Sequence, residues 1–325
     1  MRVKKTYLIL FIALVFSACQ KVNNKKIIKL AHGLDSNHPV HKAMLFMKSE
    51  LEKSSKGSLK LEIYPNEQLG SERQCLELLQ IGSLDMTKVS AAVMENFSPN
   101  MKVFGLPFLF NNKQHAFNVL DGKIGQQLLD GGQKYWLKGL GYYDAGSRSF
   151  YTKEKNISLP KDLDGLKIRV MESVTAMKMV TNLGGSPTPI SSGELYTALQ
   201  QGVVDGAENN PTTFFLSRHY EVSKFFSLDE HTTIPDVLII STHLWNSLNK
   251  EEQKWLQEAA NKSVKYQRKL WAKSDEDALE AVKKEGVKVI KPDKNLFKSK
   301  VQPIYESYKD NEEIYNLIER IKNTE

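Results

Sequence analysis

With 325 residues, 41% hydrophobic and 26% charged, the chain can bury a core large enough for two lobes. Its formal charge of +7 falls to +4 once Arg2, Lys4 and Lys5 of the N-terminal segment are set aside. No basic run is interleaved with aromatics, which excludes a nucleic-acid partner.

The leader MRVKKTYLILFIALVFSACQ joins a basic head, an apolar stretch from Tyr7 to Phe16, and the small residues Ser17 and Ala18 before Cys19. This is export architecture, and the stretch is too short for a comfortable permanent membrane span. Residues 1–18 are expected to be a signal peptide and 19–26 a tether. The small-small-Cys ending resembles a bacterial lipobox, which makes Cys19 the candidate lipidation residue and membrane anchor. Phe16 departs from the aliphatic residue usual there, so secretion without lipid is the alternative. Cys75 would then be the one remaining thiol, a packing residue in a helix.

IIKLAH predicts a strand, and DSNHPVHKAMLFMKSELEKSSKG a helix through Ala43, Leu45, Phe46 and Leu51. The pattern repeats: LKLEIY strand, SERQCLELLQIG helix, LDMTKVS strand, and later LKIRVM strand before the helix ESVTAMKMVTNLGG. Such alternation predicts βαβ units and a mostly parallel sheet, with a second sheet beginning after DAGSRSFYT. From Asn249 to Glu285 an amphipathic stretch without proline would span about 55 Å at 1.5 Å per residue, enough to bridge two lobes. A break at Ser274 and Asp275 into two helices is the alternative.

In GLKIRVME, period-2 alternation puts Leu166, Ile168 and Val170 on one face and Lys167, Arg169 and Met171 on the other. The plain reading of Arg169 is the wet side of a half-buried strand. In QQGVVDGAENNPTTFF, Gly206 is expected to break a strand-like run and Asn209 and Asn210 to present amides at its end. Asn210 could instead cap the helix PTTFFLSRHY.

YPNEQLGSERQ, VFGLPFLF, GLKIRV, GGSPTPI, SGELYTALQQGVVDGAENNP and YEVSKFF together resemble the solute-binding proteins of tripartite ATP-independent periplasmic (TRAP) transporters, the DctP-type family. The resemblance runs from about Ile27 to about Ile290. It implies an α/β, two-lobed, periplasmic-binding-protein-like architecture with crossing strands and a long bridging helix. Lobe I would comprise 27–145 and 234–274, and lobe II 146–233 and 275–325. It further implies a monomeric, exported receptor without cofactor or metal that closes on an organic acid and passes it to a membrane permease.

In that family the arginine of GLKIRV, here Arg169, clamps the ligand carboxylate, because guanidinium offers a planar fork that lysine cannot reproduce. Asn209 contacts the same end of the ligand. Arg148 of GSRSFYT matches a second arginine, with a hinge arginine bound to backbone carbonyls as the alternative. Position along the strands adds His32, Glu72, Ser90 and Asp236, and more weakly Asn210 and His38, to the candidate ligand-binding residues. Glu72 could merely favour a helix N-terminus, and His38 could be a loop residue. Two arginines with several carboxylates and amides suit a monoacid bearing hydroxyls, a hexuronate such as glucuronate or galacturonate, better than a diacid. ENNP and RSFYT look like the uronate-binding branch, whereas Ser192 stands where sialic-acid receptors carry an aromatic. The competing readings are a C4-dicarboxylate or other sugar-acid receptor, a sensor of the same fold, and a periplasmic hydrolase or lyase. For the last, GxSxG, HExxH and a glycine-rich phosphate loop are all missing.

Overall fold

The computed structural model describes residues 25–325. The leader and Cys19 lie outside the described residues.

Strands β1 (Lys26–Ala31), β2 (Leu59–Tyr64), β3 (Met86–Ser90) and β4 (Leu137–Tyr143) come first. The chain then crosses through residues 144–147 and supplies β5 (Arg148–Thr152), β6 (Lys167–Val170), β7 (Ser186–Pro189), β8 (Gly206–Asn209) and β9 (Phe225–Thr232). It returns through residues 233–235 to β10 (Asp236–Ser241), and the helix Lys250–Lys284 leads on to β11 (Lys288–Ile290). The first sheet has the order β2-β1-β3-β10-β4 and the second β11-β9-β5-β8-β6-β7. Two α/β lobes joined by crossing strands and a long helix result, as expected.

The sheets are mixed rather than mostly parallel. β1 pairs parallel with β2 and β3, but β10 runs antiparallel to β3 and β4. In the second sheet β6 is parallel to β7 and β8, while β5 is antiparallel to β8 and β9. The crossings are the cause: a strand that returns from the other lobe enters without a βαβ turn, so nothing obliges it to run parallel.

Gly206 does not break a strand. It begins β8, where a Cβ would lie 2.4 Å from the Tyr151 carbonyl, so glycine permits the close approach of β8 to β5. The run before it is the helix Leu195–Gln201, closed by left-handed Gly202. The long helix is one piece of 35 residues through Ser274 and Asp275, opened by an Asn249–Glu252 capping box. Trp271, fully buried, sits in its middle. The C-terminal helices divide between the lobes: Lys294–Glu306 packs on β9 and the helix Val174–Asn182, but Glu312–Lys322 packs on the 3₁₀ turn Pro99–Gly105 and the helix Lys123–Gly131 of the first lobe. The amphipathic face of Ile314, Leu317, Ile318 and Ile321 finds its apolar partner there, not in the second lobe where the 275–325 boundary put it.

Ile168 and Val170 are fully buried, each worth roughly 1.5–3 kcal/mol of apolar transfer. Their cluster continues without interruption into Phe104 and Leu317 of the first lobe. This packing fixes β6 and therefore where Arg169, on its opposite face, points. Cys75 is buried in the same cluster, as a packing thiol should be.

Candidate functional site

Between the lobes lies a cleft of about 70 Å³. Arg169, Arg148, Asn209, Asn210, Glu72, Ser90, Asp236 and His38 all line it. These residues come from both sheets, six of them from β3, β5, β6, β8, β10 and the helix Glu72–Gln80 and two, His38 and Asn210, from the caps of further helices, so only the closed arrangement of the lobes brings them together.

Arg169 is only 3% exposed, so its face of β6 is not the wet side. Its Nε donates to the Ile190 carbonyl at 2.8 Å. Neither terminal nitrogen has a protein partner among the described residues, and no carboxylate lies within salt-bridge distance. Burial pulls its pKa down, opposed by Tyr151 and Glu208. A buried guanidinium without an anion is costly and awaits one.

Arg148 is in the opposite condition. Its Nε and Nη2 grip the Glu208 carboxylate, Nη2 also donates to the Glu208 carbonyl at 2.7 Å, and Nη1 donates to Asn209 Oδ1 at 2.9 Å. One Nη1 hydrogen is left. Burial alone would raise the Glu208 pKa, but Arg148 and the His231 imidazolium outweigh it and hold the carboxyl at about 2. His231 is itself desolvated, yet Asp229, 2.8 Å from Nδ1, and Glu208 push it up to about 9. Arg148, Glu208, His231 and Asp229 thus form a compensated buried chain behind Asn209.

The third cation is Lys88, 3% exposed, with Nζ 2.9 Å from Glu72 and 3.2 Å from Asp236. Burial works against the ammonium, but the two carboxylates prevail and its pKa is raised. Glu72 also accepts from the Ser90 amide at 3.0 Å, so Glu72 opens its helix and braces the end of β3 as well. Asp236 is raised by burial first, with Lys88 opposing.

Asn210 caps the helix Pro211–Leu216, accepting from Thr213 N at 2.6 Å, and its amide donates to Asn209 Oδ1 at 3.2 Å and to the Ala145 carbonyl in the lobe crossing while it lines the cleft. Ser90 caps the short helix Ala91–Met94. His38 caps the helix Pro39–Ser54 through Nδ1, which accepts from Val40 N at 3.3 Å. The ring proton therefore sits on Nε2, which is buried without a partner, and the ring packs 5.6 Å from Trp271. Burial holds this ring well below the ordinary histidine range, hence neutral.

His32 does not line the cleft. Nδ1 accepts from Leu34 N at 3.1 Å and Nε2 meets His41 Nδ1 at 2.9 Å, so both nitrogens serve local turns. Burial lowers its pKa to about 3. The residues missed by sequence reasoning are Lys88, Glu208, Glu67 and Trp271. Lys88 had a signal: it alternates with Ser90 along β3 and so shares its face. Among the described residues no group of His, Cys, Asp and Glu is arranged to hold a metal ion, and no helix is long and apolar enough to cross a membrane.

The model of the bacterial extracellular solute-binding proteins, family 7 (DctP), matches residues 30–311. YiiZ of Salmonella typhimurium is 38% identical over 302 residues, 92% of each chain. A TRAP periplasmic solute-binding protein from Xanthobacter autotrophicus Py2, solved with bound β-D-galacturonate, superposes with a TM-score of 0.89 at 38% identity, covering 92% of this chain and all of that one. One from Roseobacter denitrificans, with bound β-D-glucuronate, gives 0.90 at 34% identity and the same coverage. Agreement in lobe architecture and in sequence along nearly the whole length leads to one conclusion: this chain belongs to family 7 of the bacterial extracellular solute-binding proteins and is a solute receptor of the TRAP type.

Proposed function

We propose that the receptor binds a hexuronate, glucuronate or galacturonate, and delivers it unchanged to a TRAP membrane permease. One observation carries this reading: of the three cations in the cleft, Arg148 and Lys88 are paired with carboxylates, and Arg169 alone has no carboxylate partner and both terminal nitrogens free among the described residues. Arg169 holds the ligand carboxylate as a fork, assisted by Asn209 and the spare Nη1 hydrogen of Arg148. Glu72 and Asp236 accept sugar hydroxyls, and His38 Nε2 with Ser90 and Asn210 supplies further polar contacts. A second ligand carboxylate would meet these two anions, which disfavours diacids. The uronates held by the Xanthobacter and Roseobacter proteins support the same choice.

A thermal-shift panel tests it, with hexuronates, aldonic and aldaric acids, C4-dicarboxylates, 2-oxo acids and sialic acid. A ligand at 100 times its Kd stabilises by about 2.7 kcal/mol, a clear rise in melting temperature. If succinate or a 2-oxo acid shifts the midpoint and neither hexuronate does, the uronate assignment is wrong. Recovery of an altered acid after long incubation would favour an enzyme. The reading extends to the leader: FSAC supports export with lipid on Cys19, and intact mass of the cell-derived protein decides between that and plain secretion.

A further inference from the structure

Glu67 lies in the loop between β2 and the helix Glu72–Gln80, at the mouth of the cleft. Its backbone is left-handed, φ +56°, as is that of Asn66 at +55°. Asparagine tolerates this region and glycine adopts it freely, but a glutamate is strained in it. The loop is pinned there by hydrogen bonds from Asn66 N to Leu34 O and from Glu67 N to His32 O, each 3.2 Å. The side chain then crosses to the other lobe, where Oε1 accepts from the Gly193 amide at 3.1 Å. Space is made on both sides by glycine. A Cβ on Gly193 would lie 2.3 Å from Oε2, and one on Gly33 3.1 Å from Cγ.

Gly193 belongs to the loop after β7 whose first residue, Ile190, holds Arg169 Nε. The contact that joins the lobes and the contact that aims the arginine therefore share one short segment. We infer that Glu67 is a positioning residue: by taking the Gly193 amide as the lobes meet, it seats the 190–193 loop and with it the Arg169 fork, and so retains the bound acid. The inference rests on the receptor reading above and adds to it a residue on the far lobe from the arginine.

Because the latch forms only with the lobes together, its loss should accelerate release and spare encounter. With D-galacturonate, or whichever acid of the panel binds the unaltered protein, Glu67→Gly should dissociate about five- to tenfold faster, the worth of one ordinary hydrogen bond, with association within about twofold. The same substitution relieves the left-handed glutamate, so the unliganded melting temperature should hold or rise by about 2 °C. Glu67→Gln keeps an acceptor oxygen and should restore slow dissociation. Gly193→Ala should release fast by displacing the carboxylate and add little to Glu67→Gly. Unchanged dissociation in Glu67→Gly, or a glutamine variant as fast as the glycine one, overturns the latch while leaving the receptor reading standing. If no acid of the panel binds the unaltered protein, both fall.

Discussion

Lys88→Met is the perturbation that reads most directly on how the cleft is charged. Methionine matches the length of the stem but leaves Glu72 and Asp236 facing each other without the ammonium now 2.9 and 3.2 Å away. Removing one partner of a buried ion pair costs about 3–5 kcal/mol, because the other charge stays behind. The carboxylates keep 16% and 11% side-chain exposure, and Glu72 retains its bond from Ser90 N, so the lower end, about 3 kcal/mol, applies. For a chain of this size that is a fall of roughly 4–5 °C in melting temperature.

The pH dependence gives the sharper check. Asp236 already has a raised pKa, by burial first and Glu72 in addition, and loss of Lys88 raises it further. A raised acid contributes stability that is complete below its unfolded value and is lost as pH rises through the folded one. The variant should therefore lose less against the unaltered protein at about pH 5 than at about pH 7.5. The Lys88 ammonium, whose folded pKa is also raised, is fully charged across that window and contributes no slope of its own. Paired thermal melts at the two pH values measure this. A fall of equal size at both, or a midpoint within about 1 °C of the unaltered protein at the higher pH, would refute the assignment of Lys88 as a needed counter-ion.

The two arginines should separate affinity from stability. Arg169→Lys is expected to weaken uronate binding by roughly thirtyfold, about 2 kcal/mol, in calorimetric titration, with little change in the unliganded melting temperature. Arg148→Met strands the Glu208 carboxylate and should instead lower stability by about 3–5 kcal/mol; an unliganded midpoint matching that of the unaltered protein would contradict it. Because His231 is held at about 9 against an ordinary 6.5, its contribution is complete below pH 6.5 and lost as pH climbs through about 9. Melting temperature should accordingly drift down over that window, and His231→Gln should flatten the slope. Glu208, held at about 2 against 4.5, acts at the other end: its contribution is present above pH 4.5 and lost as pH falls toward 2, so Glu208→Gln should shorten the acid limb of the profile.

What could be read in the sequence is what depends on neighbours along the chain. Alternation placed Ile168 and Val170 inward and Arg169 on the other face, and the proline-free run ending near Glu285 read as helical throughout, though its continuity through Ser274 and Asp275 was settled only by the structure. Asn210 followed from its position before Pro211. Where alternation was available but unused, as with Lys88 beside Ser90, a residue was missed that need not have been. Partnerships between distant residues were a different matter. Whether Arg169 faced water or a cleft depended on a second lobe, and the orientation of β10 depended on a crossing that leaves no local pattern. Glu208 was hidden for the same reason, since only the pairing of β5 with β8 brings Arg148 to it. His32 was overrated because a strand end is a common place for ligands, and the rule says nothing about a second histidine, His41, within reach of its ring.

The distribution of contacts between the lobes indicates how the cleft can open. On the crossing side the lobes are joined covalently by residues 144–147 and 233–235 and by the long helix, with Gln267 bonded to the backbone of Asp144 at 2.8 and 2.7 Å. On the rim they are joined largely by polar contacts, Glu67 to Gly193, Asn96 to the Glu172 carbonyl at 2.6 Å, and Glu95 to the amide and hydroxyl of Thr175 at 3.1 and 2.7 Å, with the Thr175 side chain also packed against Gly105. The Glu95 contact puts an anion on the N-terminal turn of the helix Val174–Asn182, where the helix dipole favours it. Polar rim contacts exchange readily for water, each at a net cost of about 0.5–1.5 kcal/mol, whereas stripping the apolar packing around Phe104 and Ile168 would cost far more per contact. On the proposed function, a motion that separates the rim while it pivots on the crossing would uncover Arg169 to solvent, at the cost of these polar contacts and of the packing of Thr175 on Gly105. In such an open state the guanidinium would be hydrated, and closing without an anion would strip its water and return nothing. On that reading the acid would supply the free energy difference between the two states, and closure would follow from binding a negative charge at Arg169.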